Sequence, residues 1–240
     1  MSFYYDLSSF YDGVFPLNAY KLKFIQDNIA KEGLAIDVAC GVGIDAIALT
    51  KQGYNIEGFD LESEMIIKAV NSAKQKQLKI KFFEASMLDI NKYYDNNSIS
   101  SLLCTGNSLV HLNTKNEIIN FINNSYKLLK TKGVLLIQII NFDRVLDNNI
   151  TQLPTIVNKE QALTFTRNYE YCPKSKKIKF VTTLKAHKEY KNVINLIPLR
   201  QQELQQTLNK AGFNTMKFYG SFKGDSYTPT SYSTVVVAKK

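Results

Sequence analysis

Cysteine, histidine and arginine are all scarce in this chain, and each shortage closes off a class of function. The three cysteines, Cys40, Cys104 and Cys172, stand far apart. An odd, dispersed set gives neither a disulfide framework nor a Cys-x-x-Cys metal site, and it suits a reducing, cytoplasmic setting. With only His111 and His187 available, a histidine-rich transition-metal centre is not expected. Three arginines, Arg144, Arg167 and Arg200, are few for a protein that reads nucleic-acid bases, where bidentate arginine contacts are the commonest specific ones. No stretch of apolar residues is long enough for a membrane span. Met1 to Asp12 is aromatic and acidic, unlike the basic start of a signal peptide.

What is present suits one α/β unit of 240 residues, of which 45% are hydrophobic. The formal charge of +9 is unevenly placed: residues 1–143 sum to −1 and residues 144–240 to +10. A lysine-rich, solvated surface accounts for this. The alternative is a basic part that attracts an acidic substrate, nucleic acid or an anionic surface.

Strand and helix patterns alternate from the start. Apolar residues at helical spacing predict a leading helix over 17–31. A strand follows at 34–39, then a glycine loop and a helix at 44–51. The unit recurs as strand 54–60, helix 62–77 and strand 80–85. Strand 98–104, helix 115–129 and the almost wholly apolar strand 134–140 complete five strands, the pattern of a doubly wound parallel sheet. The alternation then breaks. Segments 162–171, 177–187 and 188–196 read as strands of an antiparallel ribbon in which Phe165, Arg167 and Tyr169 share a face. A last helix over 198–211 and strands at 213–222 and 231–239 finish the sheet. The expected organisation is a core at 1–143, an inserted β cap at 144–197 and a core-completing segment at 198–240.

The most informative stretch is Ile36-Asp37-Val38-Ala39-Cys40-Gly41-Val42-Gly43, a strand running into a glycine loop before a helix. Gly41 and Gly43 let a ligand approach the backbone. With Ala46 they also satisfy a dinucleotide fingerprint. Asp37 argues against that reading, because a carboxylate at the strand end repels a pyrophosphate and favours a cationic, phosphate-free ligand. Asp60 ends the second strand, where a carboxylate can accept hydrogen bonds from both ribose hydroxyls of an adenosine. Leu61 and Met65 follow it, near a flat purine.

The order Asp-x-x-Cys-Gly-x-Gly, then Phe-Asp-Leu-x-x-x-Met, then Ala85-Ser86-Met87-Leu88-Asp89 resembles the class I S-adenosylmethionine-dependent methyltransferases, and the likeness is good over 34–142. The resemblance implies a Rossmann-like, mostly parallel seven-stranded sheet and S-adenosylmethionine as cofactor. It implies that Asp37, Gly41 and Gly43 surround the methionine part, Asp60 holds the ribose, and Leu61, Ser86 and Met87 flank the adenine. Ala39, where the family often has glycine, and Thr105, after the fourth strand, join the expected cofactor set. Ser86 stands where the family often has the aspartate that meets the adenine amino group. Tyr5-Asp6 and Tyr11-Asp12 resemble the family's N-terminal lid, with Tyr11 closing over the methionine end.

Gly106-Asn107-Ser108-Leu109-Val110-His111-Leu112 and Asn141-Phe142-Asp143 are similar to the small-molecule branch that includes glycine N-methyltransferases. In that branch an arginine before the second segment takes the amino-acid carboxylate, and here the position is Ile140, which argues against glycine as substrate. Asn107, His111 and Asn141 at the sheet edge, with Arg167, Tyr169 and Arg200 from the cap side, are the expected substrate contacts. The leading reading is N- or O-methylation of a small-molecule acceptor. An RNA or protein methyltransferase, a non-catalytic S-adenosylmethionine-binding protein and a nicotinamide-dependent oxidoreductase are the alternatives.

Overall fold

The computed structural model describes residue 7 and residues 9–240; Tyr5 and Asp6 of the expected lid lie outside them. A four-residue helix, α1 (Tyr11–Val14), precedes α2 (Ala19–Asn28). The Asn18 side chain caps α2 by accepting the Lys21 N–H at 3.0 Å. The expected outer ends of this helix, Leu17 and Lys31, fall outside it. Four strands then follow with their helices: β1 (Leu34–Val38), α3 (Ile44–Lys51), β2 (Asn55–Asp60), α4 (Ser63–Gln75), β3 (Phe82–Glu84) and β4 (Ile99–Cys104). Beyond them come α5 (Lys115–Leu128), β5 (Leu129–Ile140) and α6 (Phe142–Asp147).

Strand order in the seven-stranded sheet is β10-β11-β5-β4-β1-β2-β3, where β10 (Thr215–Tyr219) and β11 (Ser233–Lys239) close the chain. The first five strands and β10 run in one direction, and β11, inserted between β5 and β10, runs antiparallel to both neighbours. The order reverses between β1 and β4, and a crevice at such a point is where open α/β sheets bind ligands. Each face of the sheet has its own core. Ile36, Val38, Phe59, Leu102 and Ile137 lie on one side; Ala35, Ile56, Leu103 and Leu136 lie on the other, beneath α2, α3 and α4. This two-sided burial explains the near-continuous apolar text of 134–140, while β5 itself starts five residues earlier than expected, its residues 130–132 being exposed where a turn was read.

Between α6 and the last helix, α7 (Gln201–Ala211), a separate antiparallel sheet is inserted: β6 (Gln152–Asn158), β7 (Leu163–Cys172), β8 (Lys177–Lys185) and β9 (Glu189–Leu196). It has one strand more than the three expected. Pro154 hides β6 in the sequence, and the structure accommodates it on an edge, beside an irregularity between Leu153 and Ile156. A third apolar cluster joins this sheet to the chain's start, with Leu7 and Val14 against Leu163, Phe165 and Leu184. No helix among the described residues is long and apolar enough to cross a membrane.

Candidate active site

Turns after β1, β2, β3 and β4 converge on a cleft with about 970 Å³ of empty space, part of it open to solvent. Its base is the loop after β1. Ala39 has φ of 56°, in the left-handed region, which is the physical reason a glycine fits this position well. Gly41 donates its N–H to Asp60 Oδ2 at 2.7 Å, and Asp60 Oδ1 accepts the Glu62 N–H at 3.1 Å. Two backbone donors thus fix the Asp60 carboxylate at the cleft wall. Burial raises its pKa, while those same bonds oppose the rise.

Seven of the expected cofactor residues line the cleft: Tyr11, Ala39, Gly41, Asp60, Leu61, Ser86 and Met87. The Tyr11 ring lies so close over the loop that a Cβ on Gly41 would stand 3.1 Å from it. Leu61 is 65% exposed beside the cleft, an apolar surface awaiting a flat partner. The Ser86 hydroxyl accepts the Leu88 N–H at 3.2 Å and so caps the turn that follows β3.

The other four do not line the cleft. Met65 is 2% exposed, inside the core. Gly43, with φ of 75°, starts α3, and its lack of a Cβ serves packing: an added one would lie 2.7 Å from the Phe82 ring. Thr105 is buried, and its carbonyl accepts the Ser108 hydroxyl at 2.8 Å. Asp37 is 3% exposed and lies beneath the loop, near Asp45 and Lys21, which pair with each other. Burial first, then Asp45 and Asp60, push its pKa up to about 8, so it stays largely protonated at neutral pH.

The two carboxylates at the cleft are therefore Asp60 and Glu62, rather than Asp37 and Asp60. No lysine or arginine is among the described residues that line it. Glu62 escaped the sequence reading because its only signal is adjacency to Asp60. Phe15 was also missed, since lid geometry alone brings it in, whereas Phe59, Gly106 and Ser108 stood in motifs the sequence singled out without being assigned a contact.

Among the expected substrate contacts, His111 lines the cleft, where burial lowers its pKa to about 4 and keeps the imidazole neutral. Asn107 accepts the Ile140 N–H at 2.9 Å and ties β4 to β5. Asn141 is fully buried: its Nδ2 serves the carbonyls of Thr228, Pro229 and Ser231, and its Oδ1 accepts from Asp143, Arg144 and Tyr227. Arg200 pairs with Asp143 at 2.8 Å and Asp147 at 2.7 Å, which clasps the end of the inserted sheet to its beginning. These three side chains are occupied by the fold. Arg167 and Tyr169 lie on the inner face of the inserted sheet and are not among the residues that line this cleft.

A family profile described as "Methyltransferase domain" matches residues 35–133, the span that builds this cleft's first four walls. A glycine/sarcosine N-methyltransferase of Aphanothece halophytica is 24% identical over 91% of this chain and 80% of its own length. An S-adenosylmethionine-dependent methyltransferase from Clostridium acetobutylicum superposes with a TM-score of 0.79, 14% identity and 99% coverage of both chains. Residues 35–133 thus match a methyltransferase domain, and the whole chain has the fold of a class I S-adenosylmethionine-dependent methyltransferase. The sugar N-methyltransferase KedS8 from Streptoalloteichus has the same fold, with a TM-score of 0.71 and 17% identity over 98% of this chain and 92% of its own. Members of this methyltransferase class need a site for a cationic nucleoside. A cleft with two carboxylates, an exposed leucine and no cationic wall fits that group and disfavours a pyrophosphate.

Proposed function

We propose that the protein transfers a methyl group from S-adenosylmethionine to a small-molecule acceptor held between the sheet edge and the inserted ribbon. The observation that carries this reading is the Asp60 carboxylate, locked by Gly41 and Glu62 N–H groups in a cleft without lysine or arginine. Asp60 would hold the ribose hydroxyls, and Leu61, Ser86 and Met87 would flank the adenine. Ala39, Gly41 and Tyr11 would enclose the methionine end. When bound, the cofactor supplies an already activated methyl on a sulfonium.

The chain's own residues then need to align the acceptor and exclude water. Tyr11 and Phe15 close one side of the cleft, and their rings pack 5.2 Å apart. Neutral His111 accepts or donates a hydrogen bond without placing a positive charge near a cation. The same reading divides the chain into a donor-binding core at 1–143, an acceptor-side cap at 144–197 and a core-completing segment at 198–240. The glycine/sarcosine and sugar N-methyltransferases among the relatives favour a small acceptor over a polymer.

Calorimetric titration with S-adenosylmethionine, S-adenosylhomocysteine and NAD tests the reading. The first two bind and NAD does not. Asp60→Ala removes two charge-assisted bonds to the ribose and weakens both by about 100-fold or more. Unchanged affinity in that variant would overturn the ribose assignment.

A further inference from the structure

The inner face of the inserted sheet contains one row unlike its neighbours. Register and side-chain alternation place Leu153, Arg167, Thr182 and Asn192 side by side across β6 to β9. The adjoining row, Phe165, Leu184 and Tyr190, packs on the lid residues Leu7 and Val14. The row on the other side, Tyr169, Phe180 and Ile194, packs on the main core. Tyr169 meets Phe142, just past the end of β5, at 6.4 Å between ring centres. The polar row thus spans the seam between lid and core, at the sheet's carboxyl edge.

Four polar atoms at this seam are buried without a hydrogen-bond partner: Arg167 Nε, Thr182 Oγ1, Tyr169 Oη and Arg144 Nε from α6. Burying a polar group unpaired forfeits its hydration without return, so a cluster of them calls for an explanation. Tyr169 is 5% exposed and Thr182 2%. Burial raises the Tyr169 pKa, and the charges of Arg167 and Arg144 oppose that rise. Neither arginine has an ion pair among the described residues, and the acids of α6, Asp143 and Asp147, pair with Arg200. Arg167 spends one terminal nitrogen on the Pro154 carbonyl at 2.8 Å, and Arg144 stacks 5.0 Å from the Tyr232 ring.

Two uncompensated guanidiniums and two hydroxyls suit an anion, and the planar guanidinium matches a planar carboxylate. Phe180 and Ile194, partly buried in the row alongside, offer apolar surface to the rest of such a molecule. We propose that Arg144, Arg167, Tyr169 and Thr182 form a carboxylate subsite for the methyl acceptor, which is then an organic acid with an apolar or aromatic body. The inference rests on the small-molecule methyl transfer proposed above.

The test titrates the full chain, saturated with S-adenosylhomocysteine, with benzoate, phenylacetate and 4-aminobenzoate, each beside its amide. The acids bind at least about tenfold more tightly than the amides. Arg144→Gln and Arg167→Gln each lower acid affinity about tenfold or more, while affinity for S-adenosylhomocysteine stays at the wild-type value. Arg144→Gln removes no hydrogen bond within the inserted sheet, so it remains informative if the other variant misfolds. Equal binding of acids and amides, no binding of any acid, tighter binding of phenyl phosphate, or full acid affinity in a folded variant would each overturn the subsite. Absence of S-adenosylhomocysteine binding by the wild type would instead remove the methyl-transfer reading, and the subsite with it.

Discussion

At Asp37 a carboxyl is held in the core of a protein whose cleft is already acidic. Its folded pKa of about 8 lies above the value of 3.8 for an unperturbed aspartate. The folded state therefore holds the proton more tightly than the unfolded one. The stability this contributes is complete below about pH 4 and drains away as pH rises through about 8. Asparagine is isosteric with the protonated acid. Asp37→Asn should leave the melting temperature nearly unchanged at pH 4 and raise it at pH 8, by a margin worth a few kcal/mol on the order expected from such linkage. Thermal melts across that range check the sign; a variant less stable than wild type at pH 8 would count against it. Gly43 makes a second case. With φ of 75° and Phe82 2.7 Å from an added Cβ, Gly43→Ala should cost about 2 kcal/mol or more in chemical denaturation. Both residues stood out in the sequence, but for ligand contact. The spacing of residues in a glycine loop reveals that the backbone turns there. It does not distinguish a missing Cβ that admits a ligand from one that admits a phenylalanine.

Elements with strong periodicity were legible to within a residue or two. Ile44–Lys51 runs between the predicted limits, and α5 and β4 differ by one residue at one end. The elements that were misjudged have weak internal patterns. In β6 only Leu153 is buried, and α6 is six residues long and relies on the Asn141 side chain for its start. Docking between elements was also hidden, because no local pattern announces that α1 and β7 share a small core. Phe165 is 2% exposed there and meets Phe15 edge-on at 5.8 Å. Phe165→Ala should leave a cavity worth about 3 kcal/mol in that cluster. Amides at 11–15 then exchange faster in deuterium-exchange experiments, while those of β1, β4 and β5 keep their protection. Uniform loss of protection would show that lid and sheet core open as one unit.

Across the whole molecule, the parts that handle donor and acceptor come from different stretches of chain. The cleft draws on residues up to Leu112, and the buried Nε and hydroxyl groups without a hydrogen-bond partner lie from Arg144 to Thr182. The +10 balance of residues 144–240 is spread through this second stretch and beyond it. An acid acceptor gives that charge a use that needs no nucleic acid. If so, RNA added at physiological salt should leave binding of S-adenosylhomocysteine unaltered in a competition assay, and any RNA affinity should fall steeply with salt. Displacement of the cofactor by RNA would favour a polymer substrate.

Arg200 grips Asp143 and Asp147, and Gln201 N–H reaches Asp143 Oδ2 at 2.9 Å, so the inserted sheet leaves the core and returns to it through a single fastened neck. Its hold on the rest of the molecule is completed by side-chain packing on the main core and on the lid, so a change beyond that neck is felt at the wall facing the acceptor while β1 to β5 keep their register.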